Sequence, residues 1–532
     1  MSAELNELAD GWVECVIEDV VGKGGIFKDG DWVESKDQDP NGDVRLIQLA
    51  DIGDGRFLDK SSRFLTRSKA RELNCTFLRA GDILVARMPD PLGRCCIFPL
   101  DEDGRYVTVV DICAIRFGDS RVNAKFMMYL INSPSIRGKI SALQSGSTRK
   151  RISRGNLATI PLPLPPLNEQ HRIVAKIETL FSELDKGIES LKTAREQLKV
   201  YRQAVLKHAF EGKLTAKWRE QNKDKLKTPQ QLLARIQQER QARYQKQLEN
   251  WQANVNVWET NGKEGKKPGR PRLINALKIS AERDFEVPAE WGLLELGALA
   301  HESILGKMLD KAKNSGLARP YLGNINVRWG TFNLDNLKSM KIEESEVERY
   351  SLESGDIVIC EGGEPGRCAV WQNTGTPVFI QKALHRVRFT ESYSSRFAFY
   401  YLTYSTPLER VVKHFTGTTI KHLTGTGLNK VQFPVCSLEE QIEIVDILEG
   451  KLSLIESLES EIYSQLKKSG TLRQSILKKA FSGKLVPQDP NDEPASALLA
   501  RVQSENATHA VSTSKTTNKK LAKPRNKEVR DD

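Results

Sequence analysis

Long apolar runs are missing from this 532-residue sequence; stretches such as "LGALA" at 296–300 fall far short of the roughly 20 residues a membrane span needs. The first residues, "MSAELNELADGW", are polar and acidic, which predicts no signal peptide. Cysteines number eight, only Cys95 and Cys96 adjoin, and no C-x-x-C pair occurs. The seven histidines form no ligand spacing. Neither a zinc site nor a disulfide framework is therefore expected, and reduced thiols in a cytoplasm are. No G-x-x-x-x-G-K-[ST] loop cradles a nucleotide phosphate: "GEPGRC" lacks the lysine and the hydroxyl residue, and "EGKL" lacks the upstream glycine.

Basic charge, by contrast, is in excess. Eighty Lys and Arg against 69 Asp and Glu leave a net charge of +11, which favours a polyanionic partner. Hydrophobic residues at 39% and charged residues at 28% fit a soluble globular protein with exposed helical surface. The length exceeds one ordinary core and suggests about three or four domain-sized units.

The dominant feature is an internal repeat. "RQAVLKHAFEGKL" at 202–214 returns 271 residues later as "RQSILKKAFSGKL", with nine of thirteen positions identical. Upstream, "LNEQHRIVAKIETLF" at 167–181 faces "LEEQIEIVDILEGKL" at the same offset, and downstream "LLARIQQE" at 232–239 faces "LLARVQSE" at 498–505. "GDILVARMPDPLGRCCIF" at 81–98 resembles "GDIVICEGGEPGRCAVW" at 355–371, "SGST" at 145–148 faces "TGTT" at 416–419, and "RLIQLADIGDGRF" faintly echoes "RPYLGNINVRWGTF". The chain is thus a tandem duplication of a variable module followed by a similar helix. With only two copies of so long a unit, a two-armed molecule is expected rather than a solenoid.

The first module covers residues 1–160 and the second 286–435; "GDILVAR", "RYVTVVDICAIRF", "GDIVICEGG" and "ALHRVRF" read as their strands. Each leaves through prolines, "IPLPLPPLNEQ" and "FPVCSLEEQ", into a helix, 161–214 and 436–485. Ile177, Leu184, Leu191, Leu198 and Val205 recur every seven residues; Leu448, Ile455, Ile462 and Ile476 keep the register in the second copy, interrupted at Ser469. Such stripes predict mutual, coiled-coil-like packing. If the helices run antiparallel, the modules lie at opposite ends of a rod of about 65 Å, related by a pseudo-two-fold axis. A linker at 215–285 carries a helix start at Thr228, Pro229 and Gln231 and ends in the basic "KEGKKPGRPRL". A tail occupies 486–532, and after about residue 506 it is too polar to fold.

The segments "PLPPLNEQHRIVAKIETLFSELD", "RQAVLKHAFEGKLTAKWR" and "SILKKAFSGKLVPQDPNDEPAS", together with "LLARI", resemble the specificity subunits of type I restriction-modification enzymes. The resemblance covers the duplicated architecture of nearly the whole chain, although the variable modules match only in scattered turns. It implies an α+β fold: two mixed α/β target recognition domains separated by two long helices in an antiparallel coiled coil. It further implies a bipartite double-stranded DNA target and two modification subunits that methylate adenine at N6 with S-adenosylmethionine. Two restriction subunits, driven by ATP with Mg, complete the implied partners. No cofactor is expected on this chain. The Asn/Asp-Pro-Pro-aromatic run of adenine methylases does not occur, and "PDPLGR" lacks the acid-x-lysine continuation of a nuclease, so the isolated chain is expected to be non-catalytic.

Candidate DNA contacts in the first module are Ser147, Thr148, Arg149, Lys150, Arg151 and Arg154, which combine hydroxyls with a dense positive cluster. Their counterparts are Thr418, Thr419, Lys421 and His422. Arg94 and Arg367 follow tight turns in equivalent positions; an arginine repeated in both modules suits a phosphate or a structural role better than base reading. "KKPGRPR" at 266–272 has the composition of a minor-groove arm or a plain basic linker. Glu169, Gln170, Glu439 and Gln441 are candidates either for docking the modification subunits or for capping their own helices.

Overall fold

The computed structural model describes residues 8–89, 91–118, 122–146, 150–265, 267–271, 285–310, 312–372 and 375–505. The chain divides into two compact units, Met1–Lys192 with Tyr463–Asp532, and Thr193–Ile462. Each unit contains one module and half of each long helix.

In the first unit a four-stranded antiparallel sheet has the order Ile26–Asp29, Ile112–Arg116, Ile83–Ala86, Cys95–Ile97. A three-stranded sheet orders Arg63–Leu65, Val44–Ile47, Tyr106–Thr108, and the pair Val13–Cys15 with Leu162–Leu164 closes the module's two ends together. The second unit repeats this topology. Its four strands are Ala300–Leu305, Leu384–Phe389, Ile357–Cys360 and Cys368–Val370; its three are Lys338–Ile342, Leu317–Leu322 and Phe379–Ile380. Gly292–Glu295 pairs with Gln432–Val435. The fully buried strands "ILVA" and "IVIC" carry no polar alternation because both faces are covered.

An Asp–Arg clamp braces each four-stranded sheet. Arg116 donates from Nε and a terminal nitrogen to the two oxygens of Asp82 at 2.7 and 2.6 Å, and Arg388 does the same to Asp356 at 2.7 and 2.8 Å. The aspartate of each "GDI" motif is buried, so the planar fork of arginine satisfies an acid that water cannot reach.

Helix α1 spans Leu167–Phe210, α2 spans Pro229–Thr260, and α3 spans Leu438–Ala480. In the first unit Ile173, Val174 and Ile177, near the start of α1, share a core with Ile476, Leu477 and Ala480 at the end of α3. In the second, Val205, Leu206 and Phe210 at the end of α1 meet Ile444, Val445 and Leu448 at the start of α3. The pairing is antiparallel in both units. Ile177, Val205, Leu448, Ile455, Ile462 and Ile476 are buried and Leu184, Leu191 and Leu198 half-buried, so the heptad stripe is the seam. Arg473 pairs with Asp185 in one unit and Arg202 with Glu459 in the other.

Each helix ends at a glycine with φ of +69°, Gly212 and Gly483, and the following lysine N–H bonds back five residues to close the last turn. A Cβ there would stand 2.3 Å from Pro288 Cγ or 2.5 Å from Ala9 Cβ. The repeated "GKL" is therefore a cap pressed against its module.

The linker does not act as a spacer. Thr228 Oγ1 caps the Gln231 N–H and Gln231 Oε1 accepts from the Thr228 N–H, starting α2 as its sequence predicts. Leu232 and Ile236 of α2 then enter the core of the second unit. In the first unit the matching "LLARV" segment buries Leu498 and Val502, and the Ala495 N–H bonds to the Gly11 carbonyl. The tail beyond residue 505 lies outside the described residues.

Candidate nucleic-acid interface

The two polar loops singled out in the sequence occupy the same place in their units. Ser145 and Arg151 exchange both backbone hydrogen bonds at 2.8 Å; Thr416 and His422 do so at 2.8 and 2.9 Å. The chain between them turns at Gly146, φ +98°, or Gly417, φ +89°, conformations that glycine adopts without strain. The next residue, Ile152 or Leu423, is buried and anchors the loop by donating to the carbonyl of Arg87 or Glu361. A fixed base thus holds each loop.

At these tips Lys150 and Arg151 in the first unit, and Thr418, Thr419 and Lys421 in the second, are exposed. His422 is half-buried against Gly362, with which it forms a backbone bridge. Ser147, Thr148 and Arg149 lie outside the described residues. Arg154 is turned partly inward: it stacks over the Phe27 ring at 5.5 Å and sits 3.8 Å from Glu18 and 3.7 Å from Asp29, which neutralise it.

Arg94 and Arg367, candidates for either a phosphate or a structural role, take the structural one. Arg94 is buried; its Nε donates to the Ile52 carbonyl at 2.7 Å and its terminal nitrogens to those of Leu49 and Pro91. Arg367 donates to the Asn324 carbonyl at 3.0 Å and to Glu364 at 2.7 Å. Both arginines tie the turn before their sheet to the 3-10 turn at 49–51 or 324–326. Their donors face the protein's own carbonyls, so they shape the loops rather than touch a base.

At the helix starts the local of the two expected roles is the one seen for the buried residues. Glu169, Gln170, Glu440 and Gln441 are buried, and only Glu439 is exposed. Gln170 accepts from the Asn123 N–H and donates to the Pro165 carbonyl; Gln441 accepts from the Ser394 N–H and donates to the Cys436 carbonyl. Gln170 and Gln441 fasten helix to module, and of the four residues named in the sequence only Glu439 faces solvent. In "KKPGRPR", Lys266 and Arg272 lie outside the described residues. Lys267 and Arg270 rest over the rings of Trp258 and Trp251, whose indoles donate to the carbonyls of Gly265 and Pro268. This stretch is folded back on α2.

Residues beside the tips escaped the sequence reading. In the second unit Asn324 donates to the Gly362 carbonyl at 2.8 Å and Trp329 to Glu364 at 2.8 Å, which joins loops 324–330, 361–366 and 416–422 into one surface. Ile325, Arg328, Trp329 and Ile420 are exposed on it. In the first unit Arg137 links the Leu92 carbonyl to Asp54, joining loops 53–58 and 89–94. The pairing of an aromatic with a base in "VRWG" was the available signal, since stacking and charge together suit nucleic acid.

Among the described residues no group of three His, Cys, Asp or Glu side chains could hold a metal, and no helix is long and apolar enough to cross a membrane.

The type I restriction modification DNA specificity domain matches this sequence twice, over residues 9–193 and 290–468. The EcoKI specificity subunit of Escherichia coli strain K12 is 24% identical over 413 residues, 74% of each chain. The EcoBI specificity subunit of Escherichia coli is 26% identical over 409 residues, again 74% of each. The crystal structure of the HsdS subunit from Thermoanaerobacter tengcongensis shares the fold, with a TM-score of 0.55 at 17% identity, covering 91% of this chain and 100% of that one. With its duplicated sheets, its antiparallel helix pairing and two matches to one domain, the chain belongs to the type I restriction-modification specificity subunits and carries two DNA specificity domains.

Proposed function

We propose that this specificity subunit reads a bipartite, asymmetric target in double-stranded DNA, one half per module. It then directs adenine-N6 methylation and ATP-dependent restriction by partner subunits. The observation that supports this best is a shared frame with unlike tips. The same four- and three-stranded sheet orders and the same Asp–Arg clamp hold Lys150 and Arg151 in one unit, and Thr418, Thr419, Lys421 and His422 in the other. Two readers built alike but tipped differently suit two different half-sites.

The subunit itself contributes no catalytic group. S-adenosylmethionine, ATP and Mg belong to two modification and two restriction subunits, and the complex works in the cytoplasm, where its DNA is. Exposed Val200, Leu454 and Leu458 on the helices of the second unit offer apolar surface for a modification subunit.

Genome-wide mapping of methylated adenines, in a host carrying this chain with a modification partner, tests the reading. The expected outcome is one split motif, of which exchange of residues 1–160 for a relative's module alters one half only. A continuous motif, or one that changes throughout, sinks it; methyl transfer by the purified chain alone overturns the non-catalytic assignment.

A further inference from the structure

From Ile462 to Gln488 the chain carries five lysines and one arginine and no acid. The first half of α3 is the opposite: eight acids against one lysine between Leu438 and Glu461. The arginine, Arg473, is used internally, paired with Asp185 and stacked on Phe181 at 4.6 Å. Lys467, Lys468, Lys478 and Lys479 are exposed, and among the described residues none has a carboxylate within ion-pair distance. Lys467 and Lys478 lie on the side of α3 away from the buried Ile476, Leu477 and Ala480, and Lys468 and Lys479, eleven residues apart, form a neighbouring row along the Ile476 edge.

Helix electrostatics account for only part of this. Cations in the last turn complement the helix dipole, which covers Lys478 and Lys479. Lys467 and Lys468 stand well inside the helix, beyond the dipole's reach. Nor does the repeat demand them: the positions 271 residues earlier on α1 are Glu196 and Gln197. Lys478 and Lys479 do have counterparts, Lys207 and His208, so it is the Lys467–Lys468 pair that occurs in one unit only, whereas a docking surface for two like subunits on a pseudo-symmetric chain needs like faces in both.

Its position suggests the ligand. Gln474 lies on one ridge with Lys467 and Lys478, at spacings of seven and four residues. In the first unit Gln474 lines an open cleft of about 690 Å³ together with Gln144, Lys150 and the paired Arg137 and Asp54. The lysine ridge therefore runs past the base of the basic loop that ends in Lys150 and Arg151. We propose that Lys467, Lys468, Lys478 and Lys479 form a second, sequence-independent DNA contact that grips the phosphate backbone beside the half-site read by the first module. This rests on the DNA-reading function proposed above. Lysine suits the task, as a mobile point charge that holds phosphate without demanding a base.

The test uses the full chain with Lys467, Lys468, Lys478 and Lys479 all changed to Gln, which keeps helix propensity. Binding to a random-sequence duplex is followed against salt. Removing one phosphate-neutralising cation lowers the slope of log affinity against log salt by about 0.9, so the slope should fall by roughly 2 to 3.6. Preference for the mapped target over random DNA should persist. Neutral methylphosphonate linkages beside the first half-site should weaken the wild type and leave the variant unaffected. An unchanged slope in a chain that still prefers its target overturns the lysine contact alone, whereas a wild type without any target preference overturns the underlying reading. An unchanged slope together with failure to bind the modification subunit identifies a protein-docking face and also overturns the proposal. If the quadruple variant misfolds, Lys467→Gln with Lys468→Gln should give about half the slope change.

Discussion

The indole N–H of Trp291 is bonded to Oε2 of Glu440 at 2.9 Å. In the other unit Trp12 donates to Oε2 of Glu169 at 3.0 Å, so one tryptophan near the start of each module locks the first turn of the following long helix. The second oxygen separates them. Glu440 Oε1 accepts from Thr215 at 2.7 Å and from Arg219 at 2.6 Å, whereas Glu169 Oε1 is buried without a partner among the described residues. The exit after α1 reads "KLTAKWR", and the exit after α3 reads "KLVPQDP", with no threonine or arginine to offer.

Removal of Arg219 leaves the Glu440 carboxylate buried and without its cation. Arg219→Ala is expected to destabilise the second unit by about 3–5 kcal/mol, the usual result of breaking a buried pair from one side. Urea unfolding followed by tryptophan fluorescence measures it, and a loss below about 1 kcal/mol contradicts the assignment.

For Glu169 the sign is reversed. Burial raises its pKa above the ordinary glutamate value, and the Trp12 bond and Arg172 only partly oppose this. A carboxyl with a raised folded pKa gives full stability below its unfolded pKa, and that stability declines as pH rises through the folded value. The first unit should therefore weaken between mildly acidic and neutral pH. Glu169→Gln should remove this dependence and be at least as stable as wild type at neutral pH. A variant markedly less stable at neutral pH, in melting experiments across pH, contradicts it.

The arginines and the loop cations separate in two assays. Arg94→Lys keeps the charge but cannot reproduce three bonds to three carbonyls, so it should lower stability by about 1–3 kcal/mol. Lys150→Ala with Arg151→Ala should leave the melting temperature within about a degree or two, as exposed changes do, and weaken DNA binding. Reversal of these two patterns refutes the division between framework and contact.

The helix seam offers a further check. Leu448→Ala, at a fully buried position, should cost about 2–5 kcal/mol. Leu454→Ala, with its residue 60% exposed, should stay within about 0.5 kcal/mol yet reduce capture of a modification subunit. Equal losses of stability at both positions place the seam on the wrong face of α3.

What the sequence determined by itself was everything written in spacing. The 271-residue repeat, the heptad stripe through Ile177 and Leu448, the Thr228 cap and the polar loops at 145–156 and 416–427 all follow from local periodicity and turn chemistry. Tertiary structure alone decided the partners. It placed α2 in the core of the second unit, gave Arg94 and Arg367 to backbone carbonyls, and buried Gln170 and Gln441, which the sequence left open to docking. It also left Lys467 and Lys468 exposed on α3. The reason is physical: a helix or a turn is specified by neighbours in the chain, but whether a charged side chain meets solvent or a carbonyl depends on segments far away in sequence. Arg219 and Glu440 stand 221 residues apart, and no local pattern links them.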